Sequence, residues 1–123
     1  MQNNNGNKAN NNKCNGYLVF QVTSSRRAIP IKNAKIQLSR QLSPDIYYYK
    51  ELLTDSSGKT SPLCVFAPEK DLSLSPENSK PYFSYTALVD ADGYRKVKLD
   101  DVRAFAGITS VQPVFLEPVL LSE

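Results

Sequence analysis

The sequence predicts an all-β fold, an antiparallel Greek-key β-sandwich of about seven strands. Hydrophobic residues alternate with a period of two, as in strands that bury one face, and no window has the period of an amphipathic helix. Glycine turns and prolines separate the alternating segments. The chain has 123 residues, 41% of them hydrophobic, which is enough for one domain with one core.

Four strands are expected in the first half of the chain. Residues 17–23 (YLVFQVT) and 34–40 (AKIQLSR) each place three apolar side chains on one face. A tyrosine-rich strand is expected over residues 46–54, and a short apolar strand over residues 63–66.

The second half contains further extended segments at residues 82–90, 94–99, 102–105 and 110–116. Pro113 lies inside the last of them. Because proline has no N–H to donate to a neighbouring strand, this segment is expected at the edge of a sheet or at a bulge.

The turns between strands are expected at positions rich in Asp and Gly. Asp55 and Gly58 are predicted to lie in a tight, exposed turn, and Asp92 and Gly93 have the sequence of a hairpin turn. The long link over residues 67–80 interrupts the regular spacing, and we expect it to cross between the two sheets.

The sandwich is expected to occupy residues 16–118. Residues 1–15 contain eight of the ten asparagines, which is typical of a disordered tail, and residues 119–123 are expected to form a short C-terminal tail. The start of the chain lacks the apolar segment of a signal peptide, and no apolar run is long enough for membrane insertion.

Charge and composition exclude several classes of function. The net charge of +3 comes from 15 basic and 12 acidic residues that interleave along the chain, so no basic face for nucleic acid is expected. The sequence contains no histidine, the usual base of serine and cysteine hydrolases and a common ligand of zinc. We therefore expect no catalytic residues, no metal site, no cofactor and no enzymatic activity.

Two motifs match ligand-binding loops only in part. Residues 58–60 (GKT) end like a phosphate-binding loop, but Leu53 stands where its first glycine belongs. Asp90 and Asp92 resemble the start of a calcium loop, but no glutamate ends it, and a hairpin turn explains the same residues. The sequence leaves calcium binding at this turn open.

The two cysteines, Cys14 and Cys64, are expected to be free thiols. A disulfide requires Cα atoms within about 7 Å of each other, which the sequence does not establish. Free thiols are also what a chain without an export signal is expected to carry.

Three consecutive tyrosines are the most suggestive surface feature. Alternation points Tyr48 to one face of its strand and Tyr47 and Tyr49 to the other. Exposed tyrosines suit a protein contact or stacking on a carbohydrate, whereas cross-strand packing at a sheet edge is the alternative. Tyr47, Tyr49 and Tyr94 are therefore the candidate contact residues.

Four segments occur in an order that resembles the carboxypeptidase regulatory-like domains, which are β-sandwiches of the transthyretin or prealbumin type. They are residues 16–22 (GYLVFQV), 29–36 (IPIKNAKI), 53–60 (LTDSSGKT) and 85–94 (YTALVDADGY). The resemblance covers most of the chain and implies the fold, but not a function, because this fold has many roles.

A closer resemblance is to the N-terminal domain of clostridial spore cortex-lytic enzymes. It rests on residues 63–68 (LCVFAP), 73–76 (SLSP), 80–85 (KPYFSY) and 107–113 (GITSVQP). In those enzymes the domain belongs to the precursor region, ahead of a peptidoglycan-cleaving part that is absent from these residues. The resemblance implies a bacterial protein that is cytoplasmic or associated with the spore.

Other proteins of this fold need residues that the chain does not have. Transthyretin-like hydroxyisourate hydrolases use catalytic histidines, which this sequence does not contain. Surface adhesins of this shape join a lysine of the first strand to an asparagine of the last, but here the first strand (residues 17–23) has no lysine and the last (residues 110–116) has no asparagine. The sequence therefore predicts a non-catalytic interaction or structural module whose partner is a protein or a cell-wall polymer. The alternative is a carbohydrate- or peptidoglycan-binding module that uses exposed tyrosines.

Overall fold

A computed structural model describes residues 14–25, 28–69 and 80–119. These residues form seven strands: β1 (Gly16–Ser24), β2 (Lys35–Ser43), β3 (Ile46–Leu53), β4 (Leu63–Val65), β5 (Tyr82–Asp90), β6 (Val97–Phe105) and β7 (Thr109–Leu116). No helix in this part of the chain is long and apolar enough to cross a membrane. The strands confirm the all-β prediction.

The strands form two sheets. One has three strands in the order β4-β1-β7, and the other has four strands in the order β3-β2-β5-β6. Neighbouring strands are antiparallel except β1 and β7, which run parallel, with Tyr17 opposite Thr109 and Ser24 opposite Leu116. The antiparallel expectation fails for this pair because no hairpin joins the two strands, so nothing local sets their relative direction.

The hydrophobic core follows from the alternation of side chains along each strand. In β1, Leu18, Phe20 and Val22 are fully buried, as the sequence pattern predicts. Each such side chain contributes about 1.5–3 kcal/mol by leaving water. The largest fully buried side chains are Tyr85, Phe20, Leu18, Ile36, Leu38 and Leu116.

Strand β6 differs from its prediction. The two segments expected at residues 94–99 and 102–105 are joined in one strand that begins only at Val97, and its pairing with β5 shifts between Tyr85 and Ala87. Three residues of β6 there span two residues of β5, so Leu99 and Val102 both face the core. Because the bulge interrupts the alternation of apolar and polar residues, the sequence pattern predicted two strands where the structure has one.

Pro113 lies in β7, which is an edge strand as predicted. The Leu116 carbonyl accepts a hydrogen bond from Ser25 N–H at 2.9 Å, so alternate backbone groups of β7 face β1 and the nitrogen of Pro113 faces away. The long link joins β4 in one sheet to β5 in the other, which confirms the predicted crossover. Residues 70–79 of this link, and the predicted tails except residues 14, 15 and 119, lie outside the described residues.

Candidate functional site

The tyrosines of β3 alternate as expected. Tyr47 and Tyr49 are 66% and 51% exposed and point to the outer face of the four-stranded sheet. The hydroxyl of Tyr49 accepts a hydrogen bond from the side-chain amide of Gln37 in β2, at 2.9 Å. This bond restrains the ring of Tyr49, and both rings are open to a ligand or partner on the surface.

Tyr48 points the other way and joins the two sheets. Its ring meets the rings of Phe66 and Tyr85 edge-on, with centroids 5.9 and 5.5 Å away, and its hydroxyl donates to the Cys64 carbonyl at 3.2 Å. The Tyr85 hydroxyl donates to the Phe66 carbonyl and accepts from the Phe66 N–H, both at 2.8 Å. We call Tyr48, Phe66 and Tyr85 the aromatic clamp.

Burial makes the two phenols of the clamp harder to ionise. It raises the pKa of Tyr48 from 10.0 to about 12, with a smaller contribution from the neighbouring Tyr85 hydroxyl. Burial also raises the pKa of Tyr85. Both hydroxyls use their protons in hydrogen bonds to backbone carbonyls of residues 64 and 66, so the clamp ties the two sheets together.

Tyr94 does not join the other candidate tyrosines. It follows the turn after β5, where it is half-buried and packs against the core. It lines a groove together with Leu53, which lies six residues, or about 20 Å, along β3 from Tyr47. The structure therefore places Tyr94 at one end of the sandwich and Tyr47 near the other.

The groove beside Tyr94 has mixed charge. Its volume is about 560 Å³, and its lining includes Lys32 and Lys35 as well as Asp90 and Asp92. Across the described residues, no three His, Cys, Asp or Glu side chains are placed to hold a metal ion. The positive and negative side chains are mixed along the lining, so the groove has no excess of one charge that would favour binding of a cation or an anion.

The Asp92–Gly93 segment forms the turn expected from the sequence. Tyr94 N–H donates to the Ala91 carbonyl at 3.0 Å, and Gly93 has a φ of +84°. Most residues other than glycine resist this conformation.

The turn at Asp55 is tight, and the carboxylate of Asp55 organises it. This side chain accepts hydrogen bonds from the N–H and hydroxyl of Ser57, both at 2.9 Å, and from Lys59 N–H at 3.1 Å. The bond from Lys59, followed by those from Ser57, holds the pKa of Asp55 below its usual value. The turn is a structural element.

Gly58 departs from the expectation of an exposed turn because it is buried against β1. Its carbonyl accepts a hydrogen bond from Val22 N–H at 2.7 Å, and its φ is +78°. A Cβ atom at this position would lie 2.5 Å from the Val22 carbonyl oxygen. The turn therefore docks on the three-stranded sheet rather than extending into water.

The expectation of free thiols is wrong, because Cys14 and Cys64 form a disulfide with a Cα–Cα distance of 5.6 Å. The pairing of β1 with β4 brings them together by placing Gly16 opposite Val65. Asn15 strengthens the contact, since its side-chain amide both donates to and accepts from the backbone of Ala67. The sequence did not show which strands are neighbours, so this pairing was not predicted.

The three-stranded sheet has a further surface that was not predicted from the sequence. None of the residues in β1, β4 and β7 is charged. On the outer side of this sheet Tyr17, Val111 and Phe115 are 44%, 57% and 60% exposed. Together with Val19 and Pro113, which share their side of the strands, we call them the uncharged face. The sequence indicated this surface, because the two long segments that form β1 and β7 contain no Asp, Glu, Lys or Arg.

The outer face of the four-stranded sheet is charged instead. Asp101 lies 2.8 Å from the Arg103 guanidinium and accepts a hydrogen bond from the Ser84 hydroxyl. The bonds from Arg103 and then Ser84 hold the pKa of Asp101 below its usual value. Arg103 also lies over the ring of Tyr82, 4.3 Å from its centroid.

Comparison with known proteins identifies the architecture. No family model matches the chain, and no curated protein matches it in sequence. Among solved structures, it is similar to the shaft pilin SpaA from Lactobacillus rhamnosus GG, with a TM-score of 0.56 and 15% identity over 89% of this chain and 49% of the pilin. The chain has a β-sandwich fold.

Two further structures show the same architecture. The Bacillus anthracis TIE protein matches with a TM-score of 0.56 and 16% identity, over 86% of this chain and 17% of that protein. The 3-chlorocatechol 1,2-dioxygenase from Rhodococcus opacus 1CP matches with a TM-score of 0.54 and 13% identity, over 88% of this chain and 62% of the dioxygenase. The chain thus spans less than two thirds of each of these proteins, and the similarity establishes the fold alone.

Proposed function

We propose that this chain is a non-catalytic β-sandwich module that binds a protein partner through the uncharged face. The supporting observation is the exposure of Val111 and Phe115 beside Tyr17 on a sheet whose three strands have no charged residue. At the edge of this sheet, the charged residue Lys59 forms a β-bridge with Gln21 of β1. The centres of protein–protein interfaces are depleted of charged residues and enriched in aromatic ones. The similarity to a shaft pilin adds support for a structural or interaction role.

Site-specific crosslinking tests this proposal. A benzophenone side chain at position 115 is expected to form one defined adduct when the protein is irradiated in an extract of its source cells. The matched control places the same group at Lys98, which is exposed on the other sheet. Equal adducts at both positions, or no adduct at position 115, would contradict the proposal.

The lack of enzymatic activity is part of the proposal. The chain has no histidine, and its two cysteines are joined, so neither is a thiolate nucleophile. Asp55 and Asp101 have lowered pKa values, which suit a structural carboxylate and not a general acid. The purified chain is expected to leave peptidoglycan intact. Cleavage that a single acid-to-amide change abolishes would contradict this.

We further propose that the module acts at the spore or cell envelope, as its resemblance to the N-terminal domain of cortex-lytic enzymes implies. The Cys14–Cys64 disulfide supports this location over the cytoplasm, because disulfides persist in oxidising compartments. Maleimide labelling of the chain from intact cells tests the location. Labelling is expected only after reduction, and labelling before reduction would contradict it.

A second candidate function is carbohydrate or peptidoglycan binding by Tyr47 and Tyr49. Its support is the exposure of both rings on one face. In a peptidoglycan pull-down, the variant with both Tyr47→Ala and Tyr49→Ala is then expected to lose retention. Tyr17→Ala, which removes an exposed tyrosine from the other sheet, is the control and is expected to stay bound.

A further inference from the structure

The outer edge of β3 is open to another strand. Within the described residues, β3 pairs with β2 on one side and has no strand on the other. It is eight residues long and contains neither proline nor glycine. By contrast, Pro113 interrupts the free edge of β7, and β4 has only three residues. At the other edge of the four-stranded sheet, β6 is distorted by its bulge and contains the adjacent Asp100 and Asp101. Open edge strands of this length readily pair with other chains.

The direction of the backbone groups in β3 follows from the residue after it. Thr54 N–H donates to the Ala34 carbonyl at 3.1 Å, so the backbone of Thr54 faces β2. Backbone N–H and C=O groups alternate between the two sides of a strand. The groups of Tyr47, Tyr49 and Glu51 therefore point away from β2, toward the open side.

We propose that β3 pairs antiparallel with β3 of a second copy of the chain, with Tyr49 opposite Tyr49 on a two-fold axis. Tyr47 then lies opposite Glu51 of the second copy. The outward groups of these residues form about six hydrogen bonds across the axis. Such an interface is isologous and closes as a dimer.

Charge selects this arrangement among the possible alignments. Shifting the second strand by two residues in one direction places Lys50 opposite Lys50, and a shift of four places Glu51 opposite Glu51. Like charges directly opposite each other destabilise a strand pair. A shift in the other direction keeps fewer backbone hydrogen bonds. The alignment centred on Tyr49 avoids both costs.

The dimer goes beyond the proposed binding of a protein partner and uses a different surface from the uncharged face, although it shares Tyr47 and Tyr49 with the second candidate function. It joins the four-stranded sheets of two copies into one continuous sheet, and it leaves the uncharged face of each copy free. Failure of the dimer and failure of the uncharged-face proposal are therefore separate results.

Crosslinking through an introduced cysteine tests the alignment. The native cysteines are paired, so the new thiol is the only free one in the described residues. Under mild oxidation Tyr49→Cys is expected to form disulfide-linked dimers, because hydrogen-bonded opposite residues have Cα atoms about 5.5 Å apart. Tyr47→Cys is the matched control. In the proposed dimer, residue 47 of one chain lies four residues, or about 14 Å, along the strand from residue 47 of the other chain. The Tyr47→Cys variant is therefore expected to form no disulfide-linked dimer.

A mixture of Tyr47→Cys and Glu51→Cys chains is expected to crosslink, because these two positions lie opposite each other. Dimers of Tyr47→Cys alone that form as readily as those of Tyr49→Cys would overturn the alignment.

Charge exchange tests the dimer itself. In sedimentation experiments the wild-type chain is expected to dimerise with concentration, whereas Tyr49→Lys and Tyr49→Glu are each expected to be monomers. An equimolar mixture of the two variants restores dimers, since the opposite charges then face each other. The Tyr49→Phe variant keeps the ring and stays dimeric. A wild-type chain that is monomeric at all concentrations, or a Tyr49→Lys chain as dimeric as the wild type, would overturn the proposal.

Discussion

The two sheets of this sandwich differ in surface chemistry although both are built from alternating strands. The three-stranded sheet has no charged residue, whereas every strand of the four-stranded sheet has at least one. The charged sheet includes surface ion pairs such as Lys35–Glu51, at 3.2 Å. Exposed charges keep a sheet soluble and discourage non-specific contact. The contrast is the reason for proposing the uncharged face, and not the charged one, as the surface that binds a protein partner.

The sheets also differ in how they are attached to the rest of the molecule. The three-stranded sheet contains one end of the disulfide and receives the Gly58 turn against β1. The four-stranded sheet is connected to it through the aromatic clamp. The loss of unfolding free energy on disrupting each attachment measures how much that attachment contributes to stability.

Removal of the disulfide is expected to have the largest effect. The variant with both Cys14→Ser and Cys64→Ser is expected to lose about 4 kcal/mol of unfolding free energy, because the bond closes a loop across a sequence separation of 50. Urea denaturation measures the change. As a control, a reducing agent is expected to destabilise the wild type by a similar amount and to leave the double variant unchanged. A loss below about 1 kcal/mol would show that the bond does not restrain the unfolded chain.

The two glycine turns are expected to respond differently to alanine. Gly93→Ala meets no atom within 4 Å and costs about 1 kcal/mol from its positive φ alone. Gly58→Ala adds a clash with the Val22 carbonyl, so its cost is expected to reach about 3 kcal/mol. Thermal melts of the two variants test the difference. Equal melting temperatures would mean that the Gly58 turn is not packed on the three-stranded sheet.

Alkaline pH is expected to weaken the aromatic clamp. The folded pKa of Tyr48 is about 12 and its ordinary value is 10.0, so stability is complete below pH 10 and falls as the pH approaches 12. The loss is below about 2.7 kcal/mol, the unscreened equivalent of this pKa difference, because water screens the half-buried phenol. Unfolding free energies at pH 9 and pH 11 measure the fall. Tyr48→Phe is expected to reduce it, and an unchanged fall in that variant would contradict the assignment.

The alternation of apolar and polar residues predicted the strands well, because this alternation depends only on residues that are neighbours in the sequence. The burial of Leu18, Phe20 and Val22 follows from period two, and the edge position of β7 follows from the missing N–H of Pro113. The exposure of Tyr47 and Tyr49 opposite the half-buried Tyr48 follows from the same alternation.

Features that depend on distant contacts were not predictable in this way. The Cys14–Cys64 bond requires β1 to lie beside β4, and the burial of Gly58 requires its turn to fold back on β1. The bulge in β6 needs the partner strand to reveal it, since the sequence shows only two adjacent aspartates, Asp100 and Asp101. The uncharged face was visible in composition, but its exposure depends on which side of each strand faces the core.

The parallel pairing of β1 with β7 has a mechanical consequence. The chain enters β1 at Gly16 and leaves β7 at Leu116, and these residues lie at opposite ends of the strand pair, about 25 Å apart along the strands. A pull on the two ends acts along the strands and loads all their hydrogen bonds together in shear, instead of opening them one at a time. A strand pair of this geometry is expected to resist tension applied between Gly16 and Leu116 better than a hairpin of the same length would.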